Sequence, residues 1–303
     1  MKKEYIMPIF VPHLGCPNDC TFCNQKKISG QTKNVKAEDV KNTIEYYLNN
    51  FKDDNKYIEV AFFGGSFTGI DVDKQKELLS VAYEYIKNKK IDSIRISTRP
   101  DYINKEILKI NKKWIDICTN DYILNKSKRG HTFEDVKKAS KLIRKNGFIL
   151  GHQMMVGLPE STRQDEINTA KDLIKLKPKM VRIYPVLVIK GTQLEKDYES
   201  GEYTPLTVEQ AVETAKDLLV LFNKKKINVI RIGLQNTNEI TDPNSKKSQV
   251  VAGPYHPAFR QLVESRLWYD NIANEIKKVN SNVTHIQIDV NPSDINNAVG
   301  HKR

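Results

Sequence analysis

Short β-prone segments alternate with amphipathic helical segments through most of this sequence, and this alternation restricts the fold more than any other feature. Strands are predicted at residues 5–11, 58–63, 93–98, 114–118, 148–156, 180–186 and 227–234. Helices, in which apolar residues recur three and four positions apart, are predicted at residues 37–51, 73–88, 104–110, 132–146, 164–176 and 207–225. Alternation of this kind favours right-handed βαβ units and a parallel sheet.

The number of strands predicts an open α/β barrel. Six or seven βα units fit before residue 235, which is fewer than the eight of a closed barrel. Residues 236–247 are polar and include the sequence DPNS, which is typical of a loop. We therefore expect a core domain over residues 1–235 and a C-terminal α/β extension over residues 236–303. The extension is predicted to pack on the barrel, with a helix at residues 257–279 and a strand at residues 285–290.

The motifs that suggest chemistry follow the predicted strands. Three cysteines follow the first strand, Gly-Gly-Ser at residues 64–66 follows the second, Arg99 follows the third and Gly157 follows the fifth. Ligand sites of parallel α/β proteins collect at the carboxyl ends of the strands. These motifs are therefore expected to converge on one mouth of the barrel.

The three clustered cysteines, Cys16, Cys20 and Cys23, have the spacing C-x3-C-x2-C. Thiolates are soft ligands that suit zinc or iron–sulfur clusters. A structural zinc site normally has four ligands, and His13 is the nearby residue that could supply the fourth. Three cysteines on a four-iron cluster would instead leave one iron open to a substrate or cofactor. The remaining cysteine, Cys118, is predicted to be a buried thiol.

The cysteine spacing, with Phe22 before the last cysteine, resembles the cluster loop of radical S-adenosylmethionine (SAM) enzymes. Residues 63–68 (FGGSFT) are similar to the glycine motif that holds the methionine amino group of SAM in that superfamily. Four further segments resemble the branch that includes the Elongator catalytic subunit; they lie at residues 128–132, 155–159, 190–194 and 253–257. This resemblance extends over nearly the whole chain and implies a partial (βα)6-type barrel.

The resemblance also implies cofactors and a site. Cys16, Cys20 and Cys23 would ligate a 4Fe–4S cluster, and SAM would bind its open iron. In this superfamily an electron cleaves SAM to methionine and a 5′-deoxyadenosyl radical, which abstracts a substrate hydrogen. A protein such as ferredoxin or flavodoxin would supply the electron. The implied SAM-binding residues are Phe22, Gly64, Gly65, Ser66, Arg99, Gln153, Met155, Val156, Gly157 and Arg182.

Several of these residues also have a purely structural interpretation. Phe22 would pack on adenine, and Met155 and Val156 would line the ribose and adenine, but all three could be core residues. Arg99 and Arg182 could bind a carboxylate or phosphate bidentately, or they could be solvated surface residues.

The fourth strand departs from the resemblance. Before the Arg-Gly-His-Thr segment, similar sequences carry a longer strand end with a Glu-Leu-Gly-x-Gln-Ser pattern. Here residues 115–120 read IDICTN, the chain is a few residues shorter, and the usual glutamate is at best Asp116. Contacts from this strand to SAM or substrate are therefore expected to differ. The sequence contains no acetyltransferase-like region, so acetyl transfer is not expected.

The net charge of +12 is compatible with a polyanionic partner such as tRNA. Basic segments include residues 126–129, near the predicted mouth, although lysine is abundant throughout and could reflect an AT-rich genome. The leading hypothesis is a radical SAM enzyme acting on tRNA. The alternatives are a radical SAM enzyme for a small molecule, porphyrin-like or other, and a non-catalytic iron–sulfur or RNA-binding protein.

The cysteine distribution and the hydropathy predict a cytoplasmic protein. Clustered cysteines are unlike a secreted disulfide framework and suit a reducing compartment. No run reaches the roughly 18 to 20 apolar residues that a membrane helix requires. Residues 1–15 are interpreted as leading into a first strand rather than as a signal peptide.

Overall fold

The fold is that of a computed structural model, which describes residues 3–11, 20–24, 34–53, 55–105, 114–117, 120–237, 239–279 and 283–300. Cys16 and Cys118 lie outside these ranges, as does most of the helix predicted at residues 104–110. The strands are β1 (Lys3–Phe10), β2 (Lys56–Phe63), β3 (Ser93–Thr98), β4 (Trp114–Ile117), β5 (Gly151–Val156), β6 (Met180–Pro185), β7 (Val188–Ile189), β8 (Asn228–Ile232) and β9 (Val250–Ala252).

Seven of these strands form one parallel sheet in the order β1-β2-β3-β4-β5-β6-β8. The short strands β7 and β9 pair antiparallel with each other. In the described ranges β1 and β8 are the edges of the large sheet and do not pair. This arrangement confirms the predicted α/β fold with an open barrel.

The helices are α1 (Ala37–Asn50), α2 (Val72–Lys87), α3 (Asp121–Lys126), α4 (Phe133–Lys145), α5 (Arg163–Lys175), α6 (Gln193–Glu199), α7 (Val208–Lys224), α8 (Phe259–Ile276) and α9 (Ile295–Val299). Capping boxes begin α4, α5 and α7, at Thr132, Thr162 and Thr207. In each, the threonine hydroxyl and a side chain three residues later satisfy backbone N–H groups that the first turn leaves free. The capping partner predicted for Thr132, Asp135, is confirmed.

The outer face of the sheet forms the core against the helices. Val60 and Phe62 of β2 are buried with residues of α1 and α2, and Val181 and Ile183 of β6 are buried with residues of α4, α5 and α7. Because side chains alternate along a strand, the intervening residues point to the inner face. Among these, the Arg182 guanidinium lies 5.1 Å from the centre of the Phe63 ring. Their strands, β6 and β2, are not neighbours in the sheet, so the sheet curves around this inner face.

Helix α8, from the predicted extension, packs against α7 and β8. Its residues Phe259 and Val263 are buried in the same core as the barrel helices. No helix in the described ranges has the length and apolar character needed to cross a bilayer.

The prediction of a strand at residues 285–290 is wrong. These residues pair with no described strand, and Ile286 and Ile288 are each nearly half exposed. Both line a groove beside α8 together with Trp268 and Ile272. The alternating isoleucines resemble a strand locally, but a strand also needs a neighbour to accept and donate its backbone hydrogen bonds.

Candidate active site at the carboxyl ends of the strands

Residues 20–24, the described end of the cysteine loop, are held between two distant segments. The Thr21 backbone N–H donates to the Ser127 carbonyl oxygen over 3.1 Å, and the Leu194 N–H donates to the Thr21 carbonyl oxygen over 2.8 Å. Ser127 ends α3, and Leu194 lies in the first turn of α6. Residues 128–132 and 190–194, which the resemblance singled out, therefore flank the cysteine loop on two sides.

A tight turn brings Cys20 and Cys23 together. The Cys23 N–H donates to the Cys20 carbonyl oxygen over 3.0 Å, and the Asn24 side-chain amide donates to the Lys190 carbonyl oxygen over 3.3 Å. Both cysteines are free thiols, of which Cys20 is buried and Cys23 is partly exposed. Two soft ligands on one braced turn match the donor chemistry of an iron–sulfur cluster.

A buried arginine contacts this turn. Arg129 Nη1 lies 3.9 Å from Cys20 Sγ, and the Arg129 guanidinium carbon lies 5.4 Å from the centre of the Phe22 ring. Arg129 is buried, whereas Lys126 and Lys128 are exposed. Its side chain therefore belongs to the cysteine site and is not available on a basic surface.

The Gly64-Gly65 turn closes against the start of the cysteine loop. Both glycines have positive φ values, 93° and 41°, which side chains disfavour. A Cβ atom on Gly64 would lie 2.2 Å from the Val11 carbonyl oxygen, and the Val11 N–H donates to the Phe63 carbonyl oxygen over 2.7 Å. Backbone therefore fills the space that a side chain at residue 64 would need.

Ser66 and Arg99 join the ends of β2 and β3. The buried Ser66 hydroxyl accepts from the Arg99 backbone N–H over 3.3 Å. The Arg99 guanidinium binds the Asp101 carboxylate bidentately, over 3.0 Å from Nε to Oδ1 and 3.1 Å from Nη2 to Oδ2. Arg99 and Arg182 are both 6% exposed, so neither is a surface arginine.

The inner face carries a buried ion pair beneath Arg182. Arg95 pairs with Glu59, whose carboxylate also accepts from the Ser93 hydroxyl over 2.9 Å. Burial lowers the pKa of Arg95, the attraction of Glu59 opposes this shift, and the positive charge of Arg182 adds to it. Guanidinium groups and an aromatic ring, Phe63, thus share the interior of the barrel.

The predicted residues of β5 are divided between the two faces. Gln153 and Met155 are partly exposed on one face, and Met155 packs against the same apolar cluster as Phe22. Val156 lies on the other face, within the core that includes α4, where His152 contacts Ser140 over 3.0 Å. The side chain of Val156 therefore packs against the helices, in agreement with its interpretation as a core residue.

A network that the sequence did not suggest holds Gly157. Its N–H donates to the buried Glu166 carboxylate, and its carbonyl oxygen accepts from the Tyr203 hydroxyl over 2.7 Å. Burial raises the pKa of Glu166 to about 7, although the Gly157 N–H opposes the shift. Burial, and secondarily Glu166, raises the pKa of Tyr203 above its usual range. Tyr203 is remote in sequence, and Glu166, nine residues after Gly157, has no local signature.

Glu166→Gln should remove a pH dependence of stability. The folded protein keeps the Glu166 proton up to about pH 7, but the ordinary pKa is 4.5, so unfolding releases this proton between those values. The free energy of unfolding therefore falls as pH rises through this window, by about 3 kcal/mol at most. Glutamine keeps the acceptor for Gly157 without ionising. We expect the variant to gain about 2 to 3 kcal/mol over wild type at pH 8 and little at pH 4.5.

Urea denaturation at the two pH values measures this difference. Glu134→Gln, which removes an exposed carboxylate in the first turn of α4, is the matched control and should show no comparable change with pH. An equal stability difference between Glu166→Gln and wild type at both pH values would contradict the buried, proton-holding role of Glu166.

His131 lies beside Arg129 in the segment that flanks the cysteine loop. It is buried, and its Nδ1 lies 3.3 Å from the Arg129 carbonyl oxygen. Burial lowers the pKa of His131 to about 3, and the positive charges of Arg129 and Arg99 contribute to the shift. The ring is therefore neutral at physiological pH, and it adds no charge to the site.

Comparison with protein families matches the chain to the radical SAM superfamily over residues 10–173 and to the radical SAM C-terminal domain over residues 178–269. An uncharacterized protein of Methanocaldococcus jannaschii is 32% identical over 243 residues, which are 72% of this chain and 74% of that protein. The tRNA uridine(34) acetyltransferase of the same organism is 30% identical over 183 residues, which are 52% of this chain but only 34% of the acetyltransferase.

Among solved structures, the archaeal Elp3 of Methanocaldococcus infernus, with residues 1–46 deleted, superposes with a TM-score of 0.67. The sequence identity is 21%, and the match covers 91% of this chain and 64% of the Elp3 chain. At this identity the likeness establishes a shared fold.

Proposed function

The chain belongs to the radical SAM superfamily, in which it is an enzyme similar to the Elongator branch, and from this premise we propose its cofactors. Cys16, Cys20 and Cys23 ligate a 4Fe–4S cluster, and SAM binds beside it. The chemistry that such a cluster supplies is the one-electron reductive cleavage of SAM to methionine and a 5′-deoxyadenosyl radical. The observation that carries this proposal is the braced turn of Cys20 and Cys23 at the mouth of an open parallel barrel.

In this proposal the residues around the turn hold and orient SAM. Because Gly64 and Gly65 have no side chain of their own, their backbone can approach the methionine amino group closely. Phe22 and Met155, which share one apolar cluster, form a wall for the adenine. Gln153 and Gly157 complete this wall at the end of β5. An apolar wall also excludes water from the reacting carbon.

The charged side chains have two roles in the proposal. Arg182 lies over Phe63 inside the barrel, where a planar cation can pair with the carboxylate of SAM or with a phosphate of the substrate. Arg99 is already committed to Asp101 and hydrogen-bonds to Ser66 through its backbone. It therefore braces the glycine turn rather than binding a ligand through its guanidinium.

We further propose that the substrate is tRNA. The support is the name of a 30% identical relative, tRNA uridine(34) acetyltransferase, and the net charge of +12. Exposed Lys126 and Lys128 lie next to the segment that holds the cysteine loop, where a phosphate backbone would pass the mouth. An enzyme of this kind would work in the cytoplasm with a reductant such as ferredoxin or flavodoxin.

The double variant Lys126→Glu/Lys128→Glu should weaken tRNA binding and lower its salt dependence. Each lost phosphate contact reduces the log–log salt slope by roughly 0.7 to 0.9. Filter-binding titrations at several salt concentrations measure this slope. The matched control is Lys224→Glu/Lys225→Glu at the end of α7, where two exposed lysines lie at the opposite end of the barrel. If both variants and wild type bind tRNA equally, and heparin binds as well as tRNA, then tRNA is ruled out as the proposed substrate and a small-molecule substrate is favoured.

A further inference from the structure

Arg129 is held more firmly than a surface arginine would be. Its backbone N–H donates to the Leu124 carbonyl oxygen over 2.8 Å. The preceding residue, Lys128, has a φ of 50°, in the left-handed region that a residue with a side chain seldom enters unless the surrounding structure requires it. The following residue, Gly130, has a φ of 66°, which glycine adopts without strain. These constraints turn the Arg129 side chain into the interior, where its guanidinium meets Cys20 and Phe22.

The contact with Cys20 has the geometry of a hydrogen bond to sulfur. Arg129 Nη1 and Cys20 Sγ are 3.9 Å apart, and both residues are buried. Burial matters because a cation near a ligand sulfur is screened much less in a protein interior than in water. The face of the Phe22 ring holds the guanidinium from a second direction. The donor is thus fixed on one particular cysteine of the site.

A donor in this place changes the energy of electron uptake. A reduced iron–sulfur cluster carries one more negative charge than the oxidised cluster, and its ligand sulfurs share that charge. Hydrogen bonds to the sulfurs and nearby positive charge therefore stabilise the reduced state more than the oxidised state, which raises the reduction potential.

We propose that Arg129 is a positioning residue that acts through Cys20 to raise the reduction potential of the cluster and to retain its iron. This inference rests on the proposed function, because it requires the cluster to be present. It also gives the Arg-Gly-His-Thr segment at residues 129–132 a specific task. The segment places a buried cation beside the cysteine loop. It does not present this charge on the surface, where RNA could contact it.

The test is a potentiometric titration of the anaerobically reconstituted protein, followed by electron paramagnetic resonance. Arg129→Gln should lower the ratio of reduced to oxidised cluster at a fixed potential by about tenfold, equivalent to a negative shift of about 59 mV for one electron. Arg129→Lys keeps the charge but not the planar donor, so its shift should be smaller. Lys141→Gln removes one exposed charge from α4 and should leave the potential at the wild-type value.

Each outcome decides a different question. Wild type that forms no cluster refutes the proposed function itself. Suppose instead that wild type forms a cluster, and that Arg129→Gln has the same reduction potential and the same iron content as wild type. This result refutes the role of Arg129 but leaves the proposed function standing. If Arg129→Gln loses its iron although its circular dichroism is unchanged, the retention role is supported, and the shift in Arg129→Lys decides the effect on the potential. If Arg129→Gln does not fold, Arg129→Lys decides: a reduction potential equal to that of wild type, together with a full iron content, refutes the proposal.

Discussion

Cys20→Ala and Cys23→Ala are each expected to lose the cluster that wild type forms on anaerobic reconstitution. Three thiolates hold about four irons in a cluster of this kind, and alanine offers no ligand. Iron and sulfide analysis, with the visible absorption spectrum, measures the loss. The same result is expected for Cys16→Ala, because Cys16 completes the C-x3-C-x2-C spacing.

The control for these variants is Cys118→Ala, which lies apart from the motif in sequence and should keep the full iron content. Far-UV circular dichroism of the apo proteins should not distinguish Cys23→Ala from wild type, since Cys23 is partly exposed and outside the core clusters of the described residues. A colourless wild-type protein that binds one zinc ion would contradict the cluster assignment.

Gly64→Ala is expected to be strongly destabilising. The new Cβ would lie 2.2 Å from the Val11 carbonyl oxygen, at a φ of 93°. Because the obstructing atom is backbone, the strand end itself must move. Strain and overpacking together should cost about 3 to 5 kcal/mol, a large part of a typical folding free energy.

Gly147→Ala separates the two causes. Gly147 follows α4 with a φ of 76°, but a Cβ there meets nothing within 4 Å, so only the backbone conformation is penalised, by about 1 kcal/mol. Urea denaturation of both variants gives the difference. Similar losses in the two variants would mean that the contact between Gly64 and Val11 does not constrain the start of the cysteine loop.

The fold was largely predictable because its signals are local. Helical spacing and capping residues such as Thr132 and Thr207 mark elements within a few residues of sequence. The prediction of a strand at residues 285–290 was wrong because strand formation depends on a partner strand, and the position of that partner in the chain is not a local property of the sequence. Alternating Ile286 and Ile288 instead line a groove beside α8 and remain partly exposed.

The site was predictable in its location but less so in its contacts. Motifs at strand ends were expected to converge, and two such contacts are described: Gly64 lies against Val11 at the end of β1, and Ser66 accepts from the Arg99 backbone N–H. Residues 20–24 also meet segments 128–132 and 190–194, which only the resemblance had singled out. The interior position of Arg129 was missed because a basic segment in sequence does not indicate which side chains turn inward. Glu166 was missed because its hydrogen bond to Gly157 spans a turn and the start of a helix. Assignment of Val156 to the helical face required knowledge of which side of β5 faces the core.

The most direct test of the central proposal is the anaerobic incubation of the reconstituted protein with SAM and dithionite, followed by quantification of 5′-deoxyadenosine and methionine. Wild type should release both products in equal amounts, and Cys20→Ala should release neither. SAM should also perturb the spectrum of the reduced cluster, because three cysteine ligands leave one iron open. SAM that binds to the loaded wild-type protein yet is cleaved under no reductant would contradict the proposed radical chemistry and favour a non-catalytic iron–sulfur protein.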